Sequence, residues 1–121
     1  MRKVLVVDDQ YGIRVLLKEI LEKDGYAMYQ AANGMQALTL IEQHQFDLVL
    51  LDVKLPGMNG LEILKQVKEQ YPQVEVIMMT AYGELNLIKE ARKLGALAYF
   101  TKPFDISEVR KIIANSFNDR K

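Results

Sequence analysis

Polar side chains follow four apolar runs of this chain, each at the point where the run ends. Asp8 and Asp9 follow the run VLVV, Asp52 follows LVLL, Thr80 follows VIMM and Lys102 follows YFT. Carboxylates are hard oxygen ligands that suit a divalent cation such as Mg²⁺. A carboxylate can also attack phosphorus, and an ammonium can pair with phosphoryl oxygens. If these side chains meet in the fold, they predict a site for a divalent cation and a phosphoryl group.

Each of these residues also has an ordinary structural explanation. Asp9 could cap the first helix, and Asp52 could be a turn residue. Thr80 at the end of a strand is weak evidence by itself, and Lys102 followed by Pro103 could form a surface turn. The functional hypothesis therefore depends on the four positions meeting at one place.

Short β-rich runs alternate with longer helical periods along the chain. The predicted strands are residues 3–8, 26–31, 46–52, 74–79 and 97–101. The predicted helices are residues 10–23, 35–44, 60–70, 84–94 and 106–117. The first, third and fourth runs are almost continuously apolar, which is typical of parallel strands covered on both faces. The alternation therefore predicts an α/β fold with one parallel five-stranded sheet and right-handed crossovers.

Helix ends carry residues that favour them. Gly25 and Gly95 suit the left-handed position after a helix. Asn33 stands where the second helix opens, and Asp105 is a predicted N-cap of the last helix. These signals support the predicted boundaries.

The predicted sheet brings the polar residues together, because ligands bind outside the carboxyl ends of the strands in open parallel sheets. Crowded carboxylates repel one another and raise at least one pKa unless a cation is bound. Mg²⁺ would relieve this repulsion and neutralise an incoming phosphoryl group. An aspartate could then form an aspartyl phosphate, while Lys102 pairs with the phosphoryl oxygens and Thr80 donates a hydrogen bond.

Composition sets the broad class of the protein. The 121 residues suit one ordinary domain, which we expect to span residues 1–121 without a separate output domain. The 16 basic and 16 acidic residues balance, which argues against a general attraction to nucleic acid or to a membrane surface. There is no cysteine, and no apolar stretch is long enough for a transmembrane segment. The start is too short for a secretory signal. We expect a cytoplasmic protein.

The combined motif resembles that of response-regulator receiver domains. The matching stretches are VVDD, LLDVKLPGMNG around Asp52, TA at Thr80 and KP at Lys102, in the order and spacing of the family. The resemblance covers the whole chain. It implies a flavodoxin-like (βα)5 fold, doubly wound, with strand order 2-1-3-4-5. It also implies a signalling protein rather than an enzyme, which promotes its own Mg²⁺-dependent phosphorylation and slow dephosphorylation.

The resemblance implies roles for the metal site and the acceptor. Asp52 would be the phosphoacceptor and would take its phosphoryl group from a phosphohistidine of a partner. Asp8, Asp9 and Asp52 would bind Mg²⁺, with the backbone carbonyl of Lys54 as a further ligand. Mn²⁺ or another divalent cation could substitute for Mg²⁺.

The resemblance also implies a switch next to the site. Thr80 and Lys102 would contact the phosphoryl group, and Thr80 would couple to Tyr99. Tyr99 could instead be an ordinary half-buried aromatic residue of its strand. The bond between Lys102 and Pro103 is often cis in this family, and proline makes a cis bond accessible.

A closer resemblance is to the single-domain phosphorelay regulators of sporulation in Bacillus-type bacteria. It is carried by the stretches DDQYGIR from Asp8, TAYGEL from Thr80 and KPFDI from Lys102. It implies a sensor histidine kinase as donor and a helical histidine phosphotransferase as acceptor, and it allows an aspartyl-phosphate phosphatase as a third partner. We expect a monomer. Those regulators carry histidine where Tyr99 stands, which affects the details of switching and not the phosphotransfer.

The resemblance further implies a partner-binding surface around the site. Its predicted residues are Gln10, Tyr11, Gly12, Ile13, Arg14, Val15, Tyr82, Gly83, Glu84, Leu85, Pro103 and Phe104. Helical periodicity separately places Val15 and Leu85 off the apolar faces of their helices, so we expect both to be exposed. Lys54 and Tyr82, two positions beyond Asp52 and Thr80, would limit water access and lengthen the life of the phosphoryl group.

Other functions on this architecture remain to be weighed. A phosphatase with an aspartate nucleophile usually needs an Asp-x-Asp pair after the first strand, whereas Asp8 and Asp9 are adjacent. Nucleotide hydrolysis is disfavoured because the sequence has no Gly-x-x-x-x-Gly-Lys-Ser/Thr loop. Flavin binding lacks a Ser/Thr/Gly-rich loop after the first strand. A chemotaxis-type output regulator and a receiver cut from a longer transcriptional regulator share the same core residues and stay open.

Overall fold

The computed structural model describes residues 1–81 and 84–118, without the side chains of residues 85 and 118. The strands are β1 (Lys3–Val7), β2 (Ala27–Ala31), β3 (Leu48–Asp52), β4 (Lys54–Leu55), β5 (Met58–Asn59), β6 (Glu75–Thr80) and β7 (Ala98–Thr101). The helices are α1 (Tyr11–Lys23), α2 (Gly34–Gln43), α3 (Gly60–Gln70), α4 (Leu85–Lys93) and α5 (Ile106–Asn118). Within these ranges no helix is long and apolar enough to cross a membrane.

Five of the strands form one parallel sheet in the order β2-β1-β3-β6-β7. Since β6 and β7 are the fourth and fifth strands of this sheet along the chain, the predicted order 2-1-3-4-5 is confirmed. The sequence did not predict the hairpin of β4 and β5, which pair antiparallel in a second, two-stranded sheet. The hairpin follows β3 directly and turns at Gly57, whose φ of 75° is readily adopted by glycine.

Both faces of the sheet are covered, as the apolar runs predicted. One core contains Leu5, Val7, Leu51 and Met78 together with residues of α2, α3 and α4. The other contains alternate residues of the same strands, such as Val6, with residues of α1 and α5. The residues of β3 and the last five of β6 are all buried, so these strands are rigid supports for the side chains at their carboxyl ends.

The helix boundaries follow the predicted chemistry with one exception. Gly25 and Gly95 have φ of 90° and 107°, and the side chain of Asn33 accepts a hydrogen bond from the backbone N–H of Gln36. The side chain of Asp105 accepts from the N–H of Ser107 at 2.9 Å. The alternative role of Asp9 as a helix cap is wrong, because α1 has Gln10 as its N-cap residue and that side chain makes no capping bond.

Candidate functional site

The polar residues meet because their strands run in parallel and end at one edge of the sheet. Val7 lies beside Leu51, Asp52 beside Met79, and Thr80 beside Thr101. Beyond the last pair, the backbone N–H of Lys102 donates to the carbonyl of Thr80 at 2.7 Å. The register therefore places the residues after β1, β3, β6 and β7 around one cavity.

Three carboxylates form the first half of the site. Asp8, Asp9 and Asp52 each present one carboxylate oxygen within 4.8 Å of the others. Asp8 and Asp52 are buried, while Asp9 is exposed. Such a cluster offers hard oxygen ligands on one side and solvent on the other, which suits Mg²⁺ because that ion retains water and phosphate ligands. The predicted carboxylate cluster is confirmed as an arrangement of side chains that could bind a metal.

Lys102 forms the second half of the site. Its Nζ atom lies 2.5 Å from Oδ2 of Asp8 and 3.2 Å from Oδ2 of Asp52. Burial by itself would lower the pKa of Lys102, but its contacts with the two carboxylates outweigh that effect and raise the pKa. The side chain therefore stays protonated and provides a fixed positive charge between the two buried acids.

Burial changes the acidity of Asp52. Burial raises the pKa of Asp52 from its ordinary value of 3.8 to about 6, against the lowering effect of Lys102 and with a smaller raising effect of Asp8. Its Oδ1 atom also accepts a long hydrogen bond of 3.4 Å from the N–H of Lys54. At neutral pH the carboxylate is still ionised, and it is more basic than an ordinary aspartate, which favours attack on phosphorus.

The loop after Asp52 is held by Gly60 at the start of α3. The N–H of Gly60 donates to the carbonyl of Val53 at 2.9 Å. A Cβ atom on Gly60 would lie 2.3 Å from the carbonyl oxygen of Asp52 and 2.7 Å from that of Val53. Only glycine allows this approach, so Gly60 fixes the backbone that carries Asp52. Gly60 is the last residue of the LLDVKLPGMNG stretch, but the sequence alone does not show that a side chain at this position would clash with the backbone.

The loop after β1 is held by a second internal contact. Oδ1 of Asp8 accepts from the N–H of Gln10 at 2.9 Å, and Nη1 of Arg14 donates to the carbonyl of Asp8 at 2.7 Å. Nε of Arg14 also donates to the side chain of Gln30 at 3.0 Å. Arg14 was predicted for the partner surface, and the structure shows that it also orients the metal-site backbone.

The predicted partner-binding residues differ in accessibility. Gln10, Tyr11, Gly12, Val15 and Pro103 are exposed, with Tyr11 at 71% and Val15 at 37%. The predicted exposure of Val15 is therefore confirmed.

The remaining members of that surface are less accessible. Ile13 and Phe104 are half-buried against the second core, with the Phe104 ring edge-on to Phe100 at 4.8 Å. Glu84 is only 7% exposed, and its part in the partner-binding surface stays a prediction. Tyr82, Gly83 and the side chain of Leu85 lie outside the part of the chain that the structure describes, so their predicted roles stay predictions.

Tyr99 lies close to the predicted switch. It pairs in register with Met78, two residues before Thr80, so its side chain and that of Thr80 project from the same face of the sheet. The guanidinium carbon of Arg92 lies 6.0 Å from the centre of the half-buried Tyr99 ring. This placement is compatible with both explanations of Tyr99, and its role in switching stays a prediction. The bond between Lys102 and Pro103 is cis.

Fold and site together define an α/β domain with a buried aspartate, a carboxylate cluster and a lysine ammonium between two of the acids at the carboxyl edge of a parallel sheet. Residues 4–114 match the family model described as response regulator receiver domain. The chain belongs to this family, whose receiver domains accept a phosphoryl group on an aspartate and are signalling proteins rather than a classical enzyme family.

Individual relatives add detail. The chain is 57% identical over 111 residues to Sporulation initiation phosphotransferase F of Bacillus subtilis (strain 168), covering 92% of this chain and 90% of that protein. It is 38% identical to Transcriptional regulatory protein ZraR of Klebsiella oxytoca, but spans only 26% of that protein. A CheY-like receiver domain structure from Methanospirillum hungatei superposes with a TM-score of 0.94 at 34% identity, covering 98% of this chain and 95% of that one.

Proposed function

We propose that this protein carries a phosphoryl group from a sensor histidine kinase to a histidine phosphotransferase in a sporulation-type phosphorelay. The observation that carries the proposal is the buried, basic carboxylate of Asp52 beside Lys102 and two further carboxylates. The similarity to Sporulation initiation phosphotransferase F over most of both chains supports the sporulation context.

In the proposed reaction, Asp52 is the nucleophile. One of its carboxylate oxygens forms a bond to the phosphorus of a partner's phosphohistidine, while the P–N bond breaks and its electron pair stays on the imidazole nitrogen. Lys102 lies close enough to Asp52 to pair with the transferred oxygens, and the buried hydroxyl of Thr80 would donate to them. The same steps in reverse pass the group to the next histidine.

The carboxylates would also hold the divalent cation. Asp8, Asp9 and Asp52, with the backbone carbonyl of Lys54, are the proposed ligands. Bound Mg²⁺ supplies positive charge that neutralises the transferring phosphoryl group. The residues fit this ion, because the cluster consists of carboxylate oxygens and one of its members, Asp9, opens to solvent. Mn²⁺ has similar ligand preferences and could substitute.

The proposed lifetime control lies at the mouth of the cavity. The Lys54 side chain is 77% exposed, and its Nζ atom lies 3.4 Å from Oε2 of Glu84 on the opposite loop. A long side chain in this place would obstruct water that approaches an aspartyl phosphate on Asp52. We assign Tyr82 the same role. Slow self-hydrolysis would preserve the phosphoryl group for onward transfer.

The proposed docking surface is the start of α1 with the loops around the cavity. Tyr11 and Val15 present exposed apolar area, and Gly12 has no atom within 4 Å of its would-be side chain. Pro103 is exposed on the loop after β7. A helical partner placed on this surface would bring a histidine to the cavity that contains Asp52.

Phosphoryl transfer with purified components tests the proposal. The protein is incubated with Mg²⁺ and a phosphorylated histidine kinase, and a helical phosphotransferase is then added. We expect the phosphoryl group to move onto the protein and then off it, with both steps lost in Asp52→Asn. Failure of the parent protein to load would contradict the proposal.

A second candidate function is a receiver whose phosphorylated face controls an output. The similarity to ZraR, of which this chain spans about a quarter, favours a receiver attached to an output domain. A chemotaxis-type output regulator would behave alike in the same assay. Loading without onward transfer would support this second function.

A further inference from the structure

Glu84 is a buried carboxylate with no role in the proposed reaction. Its Oε1 atom accepts a hydrogen bond from the backbone N–H of Ala81 at 2.6 Å, and its Oε2 atom lies 3.4 Å from Nζ of Lys54. The side chain is only 8% exposed. Glutamates are rarely buried because desolvating a charge is costly, so such a side chain needs an explanation.

Helix capping does not explain it. Glu84 is the N-cap residue of α4, and its backbone carbonyl accepts hydrogen bonds from Leu87 and Ile88. Its side chain makes no capping bond to the helix. The carboxylate instead turns back to the end of β6, where Ala81 follows Thr80.

The carboxylate lies on the cavity that contains the phosphoacceptor. Glu84, Ala81 and Lys54 line this cavity together with Asp52 and Lys102. A phosphoryl group on Asp52 would bring up to two negative charges and three strong acceptor oxygens into the same space. The Ala81 N–H and the Lys54 ammonium are donors on this cavity, and Glu84 already engages both.

We propose that the Glu84 carboxylate competes with the phosphoryl group and leaves the cavity when Asp52 is phosphorylated. The inference rests on the proposed phosphorylation of Asp52. Two anions at one cavity repel each other, and the phosphoryl oxygens are the stronger acceptors. The Ala81 N–H and Lys54 then turn to the phosphoryl group.

Displacement would transmit the signal to α4. The backbone of Glu84 holds the first turn of this helix through Leu87 and Ile88, so movement of Glu84 changes the start of α4. Glu84 also belongs to the predicted partner surface. Phosphorylation would therefore release a charged side chain from the cavity to the face where partners are expected to bind.

Beryllofluoride with Mg²⁺ tests this competition without phosphoryl chemistry, because it binds an aspartate as a phosphoryl analogue. The full chain is titrated as parent, Glu84→Gln and Glu90→Gln, and binding is followed by amide NMR. We expect about tenfold tighter apparent binding to Glu84→Gln, because a competing charge-assisted hydrogen bond is removed. The control Glu90→Gln, an exposed position of α4, should bind as the parent does.

A second measurement needs no substitution. In the parent, the side-chain carboxyl carbon of Glu84 should shift towards the value of a solvated glutamate when beryllofluoride binds. Beryllofluoride binding to Glu84→Gln that is equal to or weaker than binding to the parent would overturn the proposed displacement of Glu84. An unmoved Glu84 carboxyl resonance would do the same. Neither result would contradict the assignment of Asp52 as phosphoacceptor. Absence of binding to the parent, or unchanged binding to Asp52→Asn, would overturn the phosphoacceptor assignment as well.

Discussion

The raised pKa of Asp52 predicts that this carboxylate destabilises the metal-free protein. Native Asp52 binds its proton more tightly than unfolded Asp52, because its pKa is about 6 in the fold and 3.8 ordinarily. Between these two values the native state holds more protons than the unfolded state, so stability falls as pH rises. The loss is complete above the folded pKa and amounts to about 3 kcal/mol. At about pH 4 the same relation gives a loss of stability of only about 0.5 kcal/mol.

Replacing Asp52 with asparagine should remove this cost. We expect the Asp52→Asn chain to gain unfolding free energy relative to the parent, and the difference to grow by about 2.5 kcal/mol from about pH 4 to about pH 8. Lys102 retains Asp8 as its partner in the variant, so its charge stays compensated. The packing of the asparagine amide shifts the difference in unfolding free energy by the same amount at every pH. The increase of that difference with pH therefore reports the titration of Asp52 and tests the prediction.

Urea unfolding in the presence of a chelator measures the prediction. Glu90→Gln, an exposed acid on α4, serves as the matched control and should show no such growth. Added Mg²⁺ should stabilise the parent more than Asp52→Asn, because only the parent retains all three carboxylates. A difference that stays constant or shrinks as pH rises would refute the reasoning.

Four further predictions concern the surroundings of the site. Ile13→Ala should slow phosphoryl transfer, and equal transfer rates in variant and parent would contradict a docking role for Ile13. Because this side chain is half-buried, the variant should also lose about 1 kcal/mol of unfolding free energy. Shortening Lys54 and Tyr82 to alanine should speed phosphate loss from the phosphorylated protein, and an unchanged half-life would remove both from lifetime control. Lys102→Gln should bind Mg²⁺ about tenfold tighter in a calorimetric titration, since the ammonium no longer pairs with the carboxylates, and weaker binding would count against that competition. Gly60→Ala should lose about 2–4 kcal/mol in urea unfolding through its clash with the Asp52 carbonyl, whereas Gly12→Ala, which meets no atom, should not; equal stability would exclude the clash.

Sequence patterns predicted the sheet and the meeting of the polar residues because both follow from local rules. Continuous apolar runs indicate strands buried on both faces, and parallel strands bring their carboxyl ends to one edge. The hairpin of β4 and β5 has two residues in each strand, which is too short for any periodicity to indicate. Pro56 followed by Gly57 is a turn signal in the sequence, but such a signal does not show which residues pair on either side of it.

Contacts between distant segments were beyond such patterns. No sequence pattern indicates that the Glu84 carboxylate is buried, because its surroundings include Ala81 and also Lys54, which is thirty residues away in the chain. Likewise, the requirement for glycine at position 60 depends on where the carbonyl of Asp52 comes to lie. Arg14 reads as a surface residue of α1, and only the fold shows its bond to the carbonyl of Asp8.

Two side chains of the protein already occupy contacts that the proposed cation and phosphoryl group would use. The Lys102 ammonium lies among the acids that would bind the cation, and the Glu84 carboxylate engages donors that a phosphoryl group would use. Each ligand must therefore displace part of an existing contact, which weakens its binding but keeps the buried charges compensated before it arrives. Binding of the cation would free Lys102 to pair with the phosphoryl group, which would strengthen the binding of that group in its competition with Glu84. The two displacements should consequently be coupled, so that Mg²⁺ raises the affinity for beryllofluoride and beryllofluoride raises the affinity for Mg²⁺ by the same factor.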